Sequence, residues 1–461
     1  MTPIDSTQWI LPTVIKIAIM IGFLINVAAL LTWLDRRQSA MMQDRIGPNR
    51  AVLKIGKFEL RVAGLLHTAA DGLKFFFKED FVPPNADKLL FGLAPILAMM
   101  PVLALVAVIP MGDTVFPHLL WRHTDHGWVF PAISRLGVEA GRFGGHAIEL
   151  AVAPLSSGIL FIFALAGQGI VGAAIAGWSS DNKFSLMGAL RAASQMVSYE
   201  VTIGLSLAGA FMLYGTVRLD DMVRWQGENC WGIFAQPAAF FLFFASAVAE
   251  SKRIPFDLPE AESELVSGYF TEYSGMKFGM FYFAEYMEVV TSSMLLVTIF
   301  LGGWQLPFFH RDGITIAVGD WVVVHQVIPH IWMSIVGVVV FFGKVLAVCV
   351  FQAFVRWSLP RFRYDQLMKL GWRVLLPLSL GNLFVTGCVI LALDKPSVDL
   401  AAGLKVAADL SQLAVALVIT IFVLRGIVGF SSPARRSRWI VGTSAEFADA
   451  RGGTETGPMQ A

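Results

Sequence analysis

Charge is scarce in this chain. Asp, Glu, Lys and Arg make up 15% of its 461 residues, against about 25% in ordinary soluble domains. Tyrosine is scarce too, with seven residues beside 36 phenylalanines, so the aromatic surface is mostly of the kind that faces oil. The three cysteines, Cys230, Cys349 and Cys388, lie far apart and form no CxxC pair. That argues against a metal site, an iron–sulfur cluster or a disulfide framework within the chain. No GxGxxG follows a strand pattern and no phosphate-binding GxxxxGK(S/T) occurs, so nucleotide binding has no support. The net charge of +1 gives no nucleic-acid footprint either.

Apolar residues are in excess, at 56%. They fall in runs of about 20 or more, the length that matches a hydrocarbon core about 30 Å thick. Nine spans are predicted, at roughly 11–33, 89–112, 150–177, 188–214, 233–250, 276–302, 328–355, 371–393 and 410–430. The first is followed by Asp35-Arg36-Arg37 rather than a small-residue cleavage site, and reads as a retained helix. The fold class is an all-α polytopic membrane protein. With the 34–88 loop in the cytoplasm, that side collects about 25 of the 35 basic residues. This positive-inside bias puts the N-terminus outside and the C-terminus in.

Within the first loop, Val62, Leu65, Leu66, Ala69, Leu73 and Phe76 recur at helical spacing, with Arg61, Asp71, Lys74 and Lys78 mostly elsewhere on the wheel. The pattern predicts an amphipathic helix along the cytoplasmic interface, in contact with lipid. The segment 113–148, with Trp121, Trp128 and four histidines, reads as an external loop. The tail over 431–461 is rich in Gly, Ser, Thr and Arg and is expected to be disordered.

A charge at mid-bilayer costs a few kcal/mol or more, so each one calls for a partner or a role. Glu200 sits about 12 residues into its span, or about 18 Å at the helical rise. Glu285 is about nine residues in, or about 14 Å. Lys344 lies near the midplane of its own helix, while Glu250 and Glu272 stand at span ends. A static Glu–Lys pair would account for one acid. The acids outnumber the one buried lysine, and leftover carboxylates poised by burial can take up and release protons. Glu288, one turn after Glu285, crowds it further. The loop 251–275 adds Asp257, Glu260, Glu262, Glu264 and Glu272 against Lys252 and Arg253. Helix-start chemistry after Pro259 explains about two of these acids; a loop that responds to the charge of a nearby ligand explains more.

Several segments together resemble a known family. They are DRR and GPNR in the first loop, ADGLKFFFKED, GWSSDNKFSLMGALRAASQMVSYE, IPFDLPEAESELVSGYFTEYSGMKFGMFYFAEY and WSLPRFRYDQLMKLGW. In order and over about residues 11–393, they resemble the H subunit of NADH-quinone oxidoreductase, the respiratory complex I component equivalent to mitochondrial NADH dehydrogenase subunit 1. The resemblance implies an eight-helix core over 1–393, with 394–430 an additional C-terminal helix. It also implies a place in the bacterial inner membrane, where the chain would line a quinone tunnel. Carried over by motif, the tunnel would involve Asp35, Arg36, Arg45, Asp71, Arg253, Phe256 and Arg356. A proton-coupling path would run through Glu200, Glu250, Glu260, Glu262, Glu264, Glu272 and Glu285, to which the membrane argument adds Lys344. Quinone would be a substrate, ubiquinone or menaquinone, while flavin, nicotinamide and iron–sulfur clusters would belong to partner subunits of the complex.

The chain departs from the family pattern in places. Asp35 stands where Glu is usual, His67-Thr68-Ala69-Ala70-Asp71 replaces a QPxAD pattern, and AESKR replaces the commoner AETNR, adding a charge at Lys252. Glu288 has no carried-over role. Three rivals stand beside the expectation: the equivalent component of a membrane-bound hydrogenase, a self-contained ion transporter, and a purely structural scaffold, which leaves the acid excess unexplained. An inverted repeat would support the transporter, and no convincing one is found.

Overall fold

The computed structural model describes residues 6–55, 58–60, 63–115, 122–124, 127–129, 148–259, 265–310, 313–318, 321–393 and 398–431. Thirteen α-helices are found among them: α1 (Ser6–Met42), α2 (Leu66–Phe77), α3 (Lys88–Leu105), α4 (Gly158–Ser179), α5 (Lys183–Tyr214), α6 (Leu219–Glu228), α7 (Gly232–Ala235), α8 (Pro237–Glu250), α9 (Gly275–Phe300), α10 (His330–Ser358), α11 (Tyr364–Lys369), α12 (Leu376–Leu393) and α13 (Val398–Ser431). A π-helical turn, Leu370–Leu375, joins α11 to α12. Short antiparallel ribbons fill connections: Leu53–Ile55 with Phe58–Leu60, Arg122–Thr124 with Gly127–Val129, and a three-stranded piece over Phe309–His310, Gly313–Val318 and Trp321–Val327. The molecule is thus an all-α polytopic membrane protein. Seven helices are long and apolar enough to cross a membrane, and Pro237–Glu250 and Val406–Val418 are shorter apolar helices.

The chain forms two compact units, Met1–Leu413 and Ala414–Ala461. In the second, the described residues are the last stretch of α13. The first holds all the sites discussed below. Its central element is α9, whose side chains from Val289 to Phe300 are buried except Ser292. Against it pack Leu24, Ala28 and Leu31 of α1, Val102 and Leu105 of α3, Phe243 and Ala247 of α8, and Phe341, Val345 and Cys349 of α10.

Ends of helices follow local chemistry. Asp87 Oδ1 accepts from Leu89 N at 3.1 Å and Leu90 N at 3.2 Å, capping α3. Asn182 caps α5 through Phe184 N at 2.9 Å, and Gly215 at φ +66° closes it in the left-handed region. Helix α4 begins eight residues later than the apolar run, after Pro154, Ser156 and Ser157. The first span overruns in the other direction. Helix α1 continues through Asp35, Arg36 and Arg37 to Met42, because Asp35 has cationic partners within the fold, Arg253 and Arg356, and the backbone need not leave the helix to solvate it.

The amphipathic helix of the first loop is α2. None of its residues is fully buried, and Leu73, Phe76 and Phe77 are exposed. Helices α3 and α4 cross so closely that a Cβ on Gly172 would lie 2.7 Å from the backbone nitrogen of Ala98. Small residues at such crossings let backbones meet. Gly172→Val is expected to cost about 1–3 kcal/mol through overpacking, read as a lower melting temperature in detergent. Gly204→Val, where a Cβ meets nothing within 4 Å, is the control and should melt as the wild type does.

Candidate functional site

Two chambers meet at one arginine. The smaller, about 360 Å³, is lined by Leu31 and Asp35 of α1, Val248 of α8, Arg253 and Ile254 of the following loop, Tyr286 and Val289 of α9, and Cys349, Gln352 and Arg356 of α10. Three donors converge on one oxygen. Tyr286 donates its hydroxyl to Asp35 Oδ2 at 2.9 Å, Arg356 Nη1 donates to the same atom, and Arg253 Nη1 lies 3.7 Å from it. The Arg253 guanidinium also stacks over the Tyr286 ring, 3.6 Å from its centroid, a cation–π contact that gains strength when desolvated. Asp35 and Arg253 are buried. Arg253 Nε and Nη2 and Arg356 Nε are nevertheless buried with no hydrogen-bond partner among the described residues. Buried orphan donors are rare and call for an explanation. Here they border a chamber whose wall combines apolar side chains with Asp35, Ser251, Arg253, Tyr286, Gln352 and Arg356, a build that suits a ligand with an apolar body and hydrogen-bond acceptors.

The larger chamber, about 930 Å³, lies between α3, α4, α5, α8 and α9. Pro101 of α3 and Gly169 of α4 are in its wall; proline removes a helix hydrogen bond and crowds the preceding turn. Glu250, Lys252, Glu285 and Glu288 face it, with Tyr269. Lys252 Nζ lies 3.3 Å from Glu288 Oε2. Glu285 joins the two chambers: its Oε1 accepts from the Tyr269 hydroxyl at 2.9 Å, and its Oε2 lies 3.9 Å from Arg253 Nη2. One guanidinium therefore reaches a carboxylate in each chamber. Glu200 does not line the void but interacts electrostatically with Glu250.

The segment that carries Glu250, Lys252 and Arg253 is held from α5. Gln195, fully buried, donates through Nε2 to Ala249 O and to Phe256 O, both at 2.8 Å. Phe256 stacks on Phe362 at 5.4 Å between centroids. Next to it, Asp257 pairs with Arg361 at 3.6 Å and keeps Oδ1 buried without a partner among the described residues. Burial pushes the Asp257 carboxyl up to about 6, against the opposing pull of Arg361. A folded value above the ordinary one means that the neutral form is favoured by folding. This contribution is fully present below about pH 4 and is lost as pH rises through about 6. An infrared carboxyl band that titrates with a midpoint of about 6 and is missing in Asp257→Asn is the expected signature.

A model of the NADH dehydrogenase family matches residues 15–387. The chain belongs to that family. Its relatives are named as the H subunit of NADH-quinone oxidoreductase. One from Cytophaga hutchinsonii is 39% identical over 384 residues, covering 83% of this chain and 98% of the relative. Another from Flavobacterium psychrophilum is 42% identical over 360 residues, covering 78% and 91%. A third from Geobacter sulfurreducens is 42% identical over 376 residues, covering 82% and 95%. The family is that of a membrane component of an oxidoreductase complex, and its match ends within α12, so α13 lies beyond it.

Set on this family framework, the residues expected from sequence divide into groups. Asp35, Arg253 and Arg356 come together in the small chamber, with Phe256 in the loop beside it. Arg36 and Asp71 pair at 2.6 Å at a partly exposed place where α1 passes α2. Arg45 stays local, bonded to Gln43 at 2.6 Å and Ser39 at 3.2 Å. Glu250 and Glu285 share the large chamber with Glu200 nearby. Glu272 stands apart, accepting from Asn182 Nδ2 at 2.6 Å at the start of α5. Glu260, Glu262 and Glu264 lie outside the described residues.

Lys344 is not paired with any of these acids. Its ammonium donates to the carbonyls of Leu301 at 2.7 Å, Gly303 at 3.0 Å and Gln305, and sits 4.2 Å from the Trp231 ring centroid. Leu301 caps the C-terminus of α9 and the other two carbonyls lie in the turn after it, so the cation stands near the negative end of the helix dipole. Leu301 is about 24 Å along α9 from Glu285 at the helical rise.

Sequence reasoning did not assign Tyr269 or Tyr286. Their signal was the scarcity of tyrosine. All seven hydroxyls are hydrogen-bonded: Tyr199 to Leu367 O, Tyr214 to Ile299 O, Tyr269 to Glu285, Tyr273 with Ser179, Tyr282 with Tyr286, Tyr286 to Asp35, and Tyr364 with Ser194. A chain that fills oil with phenylalanine keeps tyrosine where the hydroxyl has a partner.

Proposed function

We propose that the chain lines part of the tunnel by which quinone reaches its reduction site in NADH-quinone oxidoreductase, and passes the effect of that reduction to a proton-exchanging chamber. The observation that carries this reading is Arg253, shared between Asp35 in the apolar chamber and Glu285 in the acidic one. The orphan donors of Arg253 and Arg356 suit the carbonyl oxygens of a quinone head group on its way through the tunnel, and the apolar part of the wall suits its isoprenoid tail. Arg36, Arg45, Asp71 and Phe256 belong to the surrounding tunnel and its mouth in this reading.

Electrons reach quinone from flavin and iron–sulfur clusters held by partner subunits, at a head-group site largely in a neighbouring subunit. Two electrons and two protons convert quinone to quinol. Negative charge that develops during reduction draws Arg253 and weakens its hold on Glu285. Glu285 then binds a proton from the chamber, and Glu250 and Glu200 carry the disturbance on towards the antiporter-like subunits. Glu260, Glu262, Glu264 and Glu272 form the loop side of the path, and Lys344 holds the far end of α9. Such coupling needs two states of the acids. In this reading the chain sits in the bacterial inner membrane, N-terminus outside and C-terminus in the cytoplasm. Residues 1–393 form the family core, 394–430 an added helix and 431–461 a cytoplasmic tail, and the exposed apolar face of α2 rests on lipid.

The test is purification of the tagged chain from its native membrane in mild detergent. Co-purification with flavin and iron–sulfur subunits, inhibitor-sensitive NADH:quinone activity, and labelling of α1, α10 or the 251–259 loop by a photoreactive quinone are the expected results. Recovery with hydrogenase subunits, or a lone chain without redox partners, overturns the proposal.

A further inference from the structure

Lys252 is a residue that the quinone reading does not use. It follows the end of α8 at φ +55°, in the left-handed region where a Cβ crowds the next carbonyl and where asparagine is at home but lysine is rare. The backbone therefore gives no reason for a lysine here. Its side chain does. It is buried, faces the large chamber, and places its ammonium 3.3 Å from Glu288 Oε2.

The charges around it can be counted element by element. Helix α8 contributes Glu250; α9 contributes Glu285 and Glu288; the 251–259 loop contributes Arg253, which is shared with Asp35 and, through it, with Arg356, and also Asp257, which pairs with Arg361 and interacts electrostatically with Glu285; α5 contributes Glu200 next to Glu250; and Tyr269 bonds to Glu285. From α3 and α4 the chamber wall is apolar. Among the described residues, three carboxyl groups thus line the chamber with one dedicated cation and one divided cation.

We infer that Lys252 is a positioning residue that sets the number of protons the acid chamber holds, by balancing one of its three carboxyl groups through Glu288. A low-polarity void cannot hold several unbalanced carboxylates at close range, so each one without a cation must bind a proton. With Lys252 in place, Glu288 is balanced, Glu285 faces the divided Arg253, and Glu250 has no cation of its own among the described residues. Without it, the chamber takes up one further proton. The role in turnover rests on the proposed function; the proton count does not.

The intact complex is prepared with Lys252→Asn, Glu288→Gln and both together. Asparagine suits the left-handed backbone, so loss of folding is not built into the variant. By infrared spectroscopy at neutral pH, Lys252→Asn is expected to gain protonated-carboxyl intensity equal to one group, and the double variant to return to the wild-type intensity. No gain in Lys252→Asn, or a gain that persists in the double variant, overturns the inference. For turnover, proton translocation per NADH in Lys252→Asn should fall several-fold with a shifted pH profile, and the double variant should recover the wild-type profile. Equal losses in single and double variants with an unmoved profile would show a structural role and overturn it. The infrared result expected here, found with no quinone reductase activity in the wild-type complex, would sink the proposed function while leaving the proton count standing.

Discussion

Asp35→Asn is expected to lower the stability of the complex by about 3 kcal/mol, the low end of the range for breaking a buried ion pair. Asp35 is the acceptor for Arg356 and Tyr286 and lies 3.7 Å from Arg253. Asparagine fits the space but removes the charge, leaving Arg356 with only the more distant electrostatic pull of Asp257 among the described residues. Arg253 keeps Glu285. The low end is chosen because the Arg356 side chain is 22% exposed and retains some water. About 3 kcal/mol is roughly a hundredfold in the folded population, read as a lower melting temperature and less intact complex in mild detergent. Asp35→Glu keeps the charge and should recover most of it. Replacing Asp35 and Arg356 together by Asn and Gln should cost less than the two single changes added, because the double variant strands no charge. If the single changes add, the convergence on Asp35 Oδ2 is not what holds α1 to α10.

The sequence made the helices legible because the bilayer imposes a length and a composition at once. It misplaced their ends where tertiary partners intervene. The apolar run ends near residue 33, yet α1 goes on through Asp35, whose two arginines come from more than 200 residues away. The same limit applies to the site. The cost of a charge in lipid singled out Glu200, Glu285 and Lys344 without any structure, but it could not say who meets whom. A Glu–Lys pair was a fair expectation, and the acidic chamber does contain one, formed by Lys252 and Glu288. Lys344 instead closes the end of α9 on backbone carbonyls, acceptors that leave no mark in a sequence. Gln195 is equally silent: an amide in a helix says nothing of two carbonyls more than 50 residues away that it ties to α5. Tyrosine was a signal left unread: its rarity among phenylalanines marked each hydroxyl, yet Tyr269 and Tyr286 were not assigned from the sequence.

Glu285→Gln is expected to reduce quinone-linked turnover and proton translocation by roughly tenfold or more, at least about 1.4 kcal/mol in the activation barrier. The change is nearly isosteric, and the amide oxygen can still accept from the Tyr269 hydroxyl, so the fold should hold. What it loses is the charge facing Arg253. The amide nitrogen then points a donor at a guanidinium that can only donate, and the arginine keeps Asp35 as its ion-pair partner. Charge that develops in the small chamber can no longer release a carboxylate in the large one. NADH oxidation by ferricyanide, which draws electrons upstream in the partner subunits, should be unchanged and reports intact assembly. Glu285→Asp keeps the charge but retracts it from a contact already at 3.9 Å, and should fall between wild type and Gln. The order wild type, Asp, Gln in turnover, with constant ferricyanide activity, is what a carboxylate acting through Arg253 requires. Full turnover in Glu285→Gln would mean that the two chambers communicate by another route, and Arg253 would then be only a structural tie between α1 and α9.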